Sequence, residues 1–256
     1  MRSLRDVFGS LPLPPAAPAT GGGYAMPAAH LLGGDLPQGH LHVWSGPPGA
    51  GKTAFLLGLL LDAARRGRGT CLASYDLSAG AVALRMLAME SDVPLALLDG
   101  GVLSPAETEA VARARARLAG LPLFLQESRG LTVGSLADRC VRSARRIDVL
   151  GVDYVEAVVR PTETPLSSVF RDLSTLAHQR WMAVVAVARS SPVDLGLAGR
   201  GGPVDRVGWI ATGTEPAQGE ATVVANRHGA TPSCRLRLDP DRARWLAPEG
   251  SPPPKG

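Results

Sequence analysis

Gly46-Pro47-Pro48-Gly49-Ala50-Gly51-Lys52-Thr53 concentrates phosphate-binding chemistry in one short run. It fits G-x-x-x-x-G-K-[ST] at every position. The glycines let the backbone wrap a phosphate with its N–H groups turned inward. Lys52 reaches the β- and γ-phosphates, Thr53 offers a hydroxyl to Mg²⁺, and a helix beginning there adds the positive end of its dipole. The alternative is a chance glycine-rich turn. Against it stand the apolar strand before the run and the apolar helix after it. A second stretch suits the same chemistry. Val149-Leu150-Gly151-Val152 ends in Asp153, and a carboxylate closing a buried strand is costly without a cation or donors. The plainer alternative is an aspartate that caps the next segment.

The elements that must hold these residues alternate along the chain. Strands are expected over His40–Ser45, Thr70–Ser74, Leu121–Leu125, Val149–Val152 and Ala183–Ala188. Helices are expected over Lys52–Arg66, Ala79–Met89, a segment opened by the Ser104–Glu107 capping box and running to Leu118, Val133–Arg146 and Leu166–Arg180. From Val207 onward only strands are expected: Val207–Thr212, Ala221–Ala225, Cys234–Leu238 and Arg242–Leu246. Such alternation followed by strands implies an α/β fold, a mostly parallel twisted sheet with an antiparallel C-terminal extension. Residues 1–28, rich in Pro, Ala and Gly, read as a flexible arm with one short docking helix over 2–9; residues 29–247 form the domain, and 248–256 a disordered tail.

The bulk properties narrow the classes. In 256 residues, 45% hydrophobic and 20% charged, there is enough apolar material for one large core, which excludes a disordered chain. No apolar run approaches the ~20 residues of a membrane span, and no secretory signal pattern opens the chain, so a cytoplasmic protein is expected. Cys71, Cys140 and Cys234 are odd in number and widely spaced, which argues for reduced buried thiols over a disulfide framework or zinc site. A net charge of +4 permits a nucleic-acid partner without requiring one. Lys52 and Lys255 are the only lysines among 27 basic residues; a lysine kept where arginine is otherwise used does what a wide planar fork cannot.

With these residues in hand, the chain from Leu32 to Trp245 resembles the C-terminal, RecA-fold motor domain of DnaB-type replicative helicases. Gly33-Gly34-Asp35-Leu36-Pro37-Gln38-Gly39 resembles the entry to the first strand. Leu118–Leu125 followed by Gly130-Leu131-Thr132-Val133 resembles a segment of that family. Val152-Asp153-Tyr154 resembles its Walker B, and Asn226-Arg227-His228-Gly229 its strand end bearing an arginine finger. The resemblance implies a RecA-like P-loop NTPase that uses ATP and Mg²⁺, assembles as a hexameric ring and acts on single-stranded DNA. It implies Thr53 and Asp153 as Mg²⁺ ligands and Arg227 reaching the ATP of a neighbouring subunit.

The departures are specific. Ser74-Tyr75-Asp76 stands where the family has S-L-E, so the candidate water-orienting base, Asp76, is one methylene shorter. Ala188-Arg189 replaces a γ-phosphate-sensing S-Q, making Arg189 the candidate sensor. Ala225 replaces a lysine, and no counterpart of the family's N-terminal helical domain is expected. Pore loops are expected over Glu156–Pro165, with Arg160, and Ser190–Val207, with Arg200 and Arg206; these arginines are the candidate DNA contacts. The arginines at 113, 117, 139, 142, 145 and 146 read as solvated faces or intersubunit pairs. Trp44 reads as core, Trp209 and Trp245 as sheet packing, with Trp245 placed where a base or partner could also stack. His40 and His42 share a strand face, but no cysteine or acidic cluster accompanies them, so no metal is expected there. Two other readings remain: a RadA- or KaiC-like recombination or signalling ATPase, and an ATP-gated regulatory module that does not hydrolyse.

Overall fold

The computed structural model describes residues 1–14, 16, 24–27, 36–143, 145–161, 164–197, 202–212 and 218–248. The glycine run at 21–23, the entry residues 33–35, Arg200 and the tail from 249 lie outside them. One sheet of ten strands organises the described residues. Its centre is parallel: β4 (Leu123–Glu127), β3 (Thr70–Ser74), β5 (Val149–Asp153), β6 (Ala183–Ala188), β2 (Leu41–Ser45) and β7 (Arg206–Thr212). β8 (Gln218–Asn226), β9 (Ser233–Asp239) and β10 (Arg244–Leu246) extend it antiparallel. The fold is the α/β, RecA-like arrangement expected, with the antiparallel extension at the C-terminal side.

Burial on both faces explains the composition of the central strands. β6 reads Ala-Val-Val-Ala-Val-Ala and every residue is buried. One face carries α2 (Lys52–Arg65), α3 (Ala79–Ser91) and α5 (Pro105–Ala119); the other carries α6 (Val133–Val141) and α7 (Leu166–Arg180). α2 is apolar nearly all round because it lies between the sheet and its neighbours, with ten of its residues buried. α5 starts at the capping box read from the sequence, Ser104 with Glu107, and has Pro105 in its first turn. Buried Glu90 ties the helical layer together, accepting from Arg65, from Arg117 Nε at 2.6 Å and from Tyr24 N at 3.1 Å. Arg117 is therefore an internal partner and not a solvated cation. Short α4 (Leu95–Leu98) was not expected.

Two of the boundaries that differ from expectation have a clear local reason. β4 begins two residues late because Leu121 N is spent on Leu118 O and Pro122 has no N–H to give the ladder. α6 stops at Val141, five residues early. The chain must turn there so that Ile147 is buried and Asp148 can exchange hydrogen bonds with Gly69 before β5. Residues 2–9 supply the short docking helix that was expected and, ahead of it, a strand that was not. β1 (Arg2–Ser3) pairs antiparallel with β4 and covers that sheet edge. α1 (Leu4–Gly9) follows from a Ser3–Asp6 capping box and buries Leu4, Val7 and Phe8 against α3 and α5.

Trp44 is core, as expected, and it dictates its neighbour. A Cβ on Gly208, its partner on β7, would lie 2.1 Å from the indole. Only glycine fits there, and the β7–β8 register shifts at the same point.

Candidate functional site

The parallel strands deliver their carboxyl ends to one cleft of about 630 Å³. The phosphate loop leaves β2 at Ser45 and enters α2 at Lys52. Gly49 and Gly51 adopt left-handed backbone, φ +79° and +71°. Gly51 is also hemmed in: a Cβ there would stand 2.9 Å from both Leu238 and Trp245. Lys52 Nζ donates to the loop carbonyls of Gly46 (2.8 Å) and Pro47 (2.7 Å). Burial, with Arg189 nearby, holds its ammonium below the usual lysine range. Thr53 Oγ1 donates to Asp153 Oδ2 at 3.0 Å. Asp153 is 3% exposed, and burial raises its carboxyl above the ordinary aspartate value even though Thr53 and Lys52 oppose the shift. A hydroxyl and a poorly solvated carboxylate side by side are a donor set that suits a hard divalent cation.

Asp76, Tyr154 and Arg189 complete the wall. The guanidinium of Arg189 stacks over the Tyr154 ring, 3.5 Å from its centroid, and reaches Asp76 Oδ2 at 3.4 Å. Two lining or supporting residues escaped the sequence reading. Arg85, on α3, adds a cation to the cleft. Glu156 accepts from the backbone N–H groups of Arg189 (2.7 Å) and Ser190 (3.0 Å), fixing the end of β6. A charged residue two turns into an apolar helix and an acid just after Asp153 were the available signals.

Arg227 is elsewhere. It follows β8, beside the amino ends of β2 and β7, where it contacts the Gly202 carbonyl and stands 3.7 Å from Asp205 Oδ1. β2 spans five residues, so the cleft and Arg227 are separated by about 15 Å of strand. Arg227 cannot serve the cleft of its own chain.

The family model of the DnaB-like helicase C terminal domain matches residues 30–191. The chain belongs to that family. The replicative DNA helicase DnaB of Synechocystis sp. is 27% identical over 166 residues, covering 62% of this chain and 19% of that protein. That of Leifsonia xyli is 24% identical over 162 residues, covering 60% and 35%. The chain thus spans about a fifth to a third of these relatives. Among solved structures, a DnaB-like replicative helicase studied with primase aligns with a TM-score of 0.73 at 13% identity, covering 84% of this chain and 58% of that one. A solved ATPase domain gives 0.74 at 13% identity, covering 83% and 86%. The RadB recombinase gives 0.55 at 17% identity, covering 86% and 96%.

The DnaB-like domain places the remaining expected residues unevenly. Arg160 lies between the 3₁₀ turn Val155–Ala157 and α7, with Nε donating to Thr164 O at 3.1 Å. Arg206 is not a loop residue. It opens β7 opposite His42, and its Nε and Nη1 are buried, which removes them from any DNA backbone. Trp245 is fully buried and offers no face for a base; its Nε1 donates to Gly51 O at 3.0 Å instead. Arg113, Arg142 and Arg146 pair within the chain with Glu109, Asp138 and Asp148. Among the described residues no helix is long and apolar enough to cross a membrane.

Proposed function

We propose that this domain binds and hydrolyses Mg²⁺–ATP as the motor of a DnaB-like helicase, residues 29–247 forming the working unit of a hexameric ring on single-stranded DNA. The observation that carries this reading is the separation of parts along the sheet. Lys52, Thr53, Asp76, Asp153 and Arg189 meet at one end, and Arg227 stands at the other. A head-to-tail neighbour would bring an Arg227 to each cleft, which explains why no single chain is complete.

Within that reading Gly46 to Thr53 hold the phosphates through backbone N–H groups and Lys52. Thr53 and Asp153 would hold Mg²⁺, which when bound offsets charge on the phosphate oxygens. Asp76 orients the attacking water, Arg189 senses the γ-phosphate, and the neighbour's Arg227 stabilises charge that develops as the phosphoryl group departs. Arg160 is the described candidate for the DNA backbone. The test is steady-state ATP hydrolysis with and without single-stranded DNA, with Lys52→Ala as the blank. DNA-stimulated turnover above the blank supports the motor. Arg227→Ala should bind nucleotide and lose turnover; retained turnover removes the shared site.

One observation favours a second reading. Asp76 is both short and engaged by Arg189, an arrangement that suits an ATP-gated module with little hydrolysis. Nucleotide binding with turnover equal to the blank would select it. The remaining reading, a RadA- or KaiC-like recombination or signalling ATPase, expects turnover without DNA-stimulated unwinding.

A further inference from the structure

The sheet end that carries Arg227 also gathers side chains the nucleotide chemistry does not use. His40 precedes β2, Asp205 precedes β7, and His228 lies in the turn between β8 and β9. One ligand atom from each lies within 4.8 Å of the others. His228 Nε2 is 3.0 Å from Asp205 Oδ1, and the rings of His40 and His228 stack face to face, 4.4 Å apart and 4° from parallel. The other carboxylate oxygen of Asp205, Oδ2, is held by Leu41 N at 2.9 Å. Burial opposes the charged form of Asp205, but the Leu41 N–H and His228 outweigh it and keep the carboxyl below its usual range. His40 Nδ1 is buried without a partner.

We propose that His40, Asp205 and His228 form a binding site for a first-row divalent cation of the Zn²⁺ class. Two imidazoles and one carboxylate are the donor set such ions take, with a further position open to water. The Leu41 N–H fixes the carboxylate from behind, as supporting groups do in metal sites. His228 is half-exposed and sits in a turn, so its ring can swing the short distance needed to converge with His40. The surroundings set a limit on affinity. Arg227 faces Asp205 at 3.7 Å, Arg206 and His42 lie on the adjoining strands, and His178 is within electrostatic reach of His40. A bound cation takes over the charge that Arg227 now neutralises, so it releases that guanidinium from Asp205. The site stands on this cluster alone and does not depend on the ATPase reading.

The test uses the full chain after chelator treatment, without nucleotide. ZnCl₂ is titrated calorimetrically, and Co²⁺ is followed by its visible ligand-field bands. The proposal expects one ion per chain and a Co²⁺ spectrum of low coordination number. His228→Gln, at an exposed turn position expected to fold normally, and His40→Ala should each weaken binding at least tenfold. Asp153→Asn, in the distant cleft, should leave the Co²⁺ spectrum unchanged. Absence of stoichiometric binding overturns the proposal, leaving the cluster a hydrogen-bonded clasp. So does binding that survives His228→Gln or disappears with Asp153→Asn.

Discussion

Trp245 tests whether the C-terminal strand supports the phosphate loop. Its indole lies on Gly51, its Nε1 donates to the Gly51 carbonyl at 3.0 Å, and its main chain is held by the Tyr24 hydroxyl, which donates to Trp245 O at 2.8 Å. Trp245→Phe removes the indole N–H and the second ring but keeps an aromatic core residue. Gly51 O still accepts from Phe55 N at 2.9 Å, so no carbonyl is orphaned and the lost hydrogen bond costs about 1 kcal/mol. The space left beside Gly51 and Gly219 adds about 1–2 kcal/mol. Together these should lower the melting temperature by about 5–10 °C. The share that acts on Gly51, about 1 kcal/mol, should weaken nucleotide binding about fivefold, because the loop must then be ordered by the ligand. Thermal unfolding by circular dichroism and titration of a fluorescent nucleotide read the two effects. A variant with unchanged melting temperature and unchanged affinity would refute the reasoning. A loss of stability with no loss of affinity would show that the indole supports the sheet but not the loop.

Other consequences are as direct. If Asp76 orients water, Asp76→Glu restores the missing methylene and should raise turnover, by up to about 10²-fold; an unchanged or lower kcat in steady-state assays removes that role. Phe8→Ala should cost about 3–5 kcal/mol in a denaturant titration, because the ring is buried under α3 and α5; a loss below about 1 kcal/mol would mean that α1 is not docked in solution. The Tyr75 hydroxyl is buried without a partner, and burial raises it to about 12. The unfolded chain loses this proton near pH 10 and the folded chain does not, so stability falls as pH rises from 10 toward 12. Tyr75→Phe should leave neutral stability unchanged or higher and reduce that alkaline loss; an identical alkaline profile refutes it.

What the sequence showed was local. The phosphate loop, the capping box at Ser104 and the buried strand ending in Asp153 each depend on neighbours within a few residues, so their geometry could be read directly. The docking helix over 2–9 was legible, but the strand β1 ahead of it was not, because it pairs with β4 more than 120 residues away. Arg206 misled because a loop-like sequence precedes it and only the sheet register places it beside His42. The His40–Asp205–His228 cluster was invisible for a simpler reason: β7 pairs with β2 across more than 160 residues of chain. Trp245 was read as sheet packing, which it is, but its hydrogen bond to the phosphate loop has no local signature.

The contact between Trp245 and the loop also has a temporal consequence. The partners are 194 residues apart, and Tyr24 meets Trp245 across 221. During synthesis the loop emerges long before the strand that braces it, so the early chain can form β2–α2 and the central parallel strands while Gly51 remains unbraced. Contacts of such separation form late and slow the approach to the native state. Nucleotide affinity should therefore be among the last properties a nascent chain acquires, arriving after most of its secondary structure is in place.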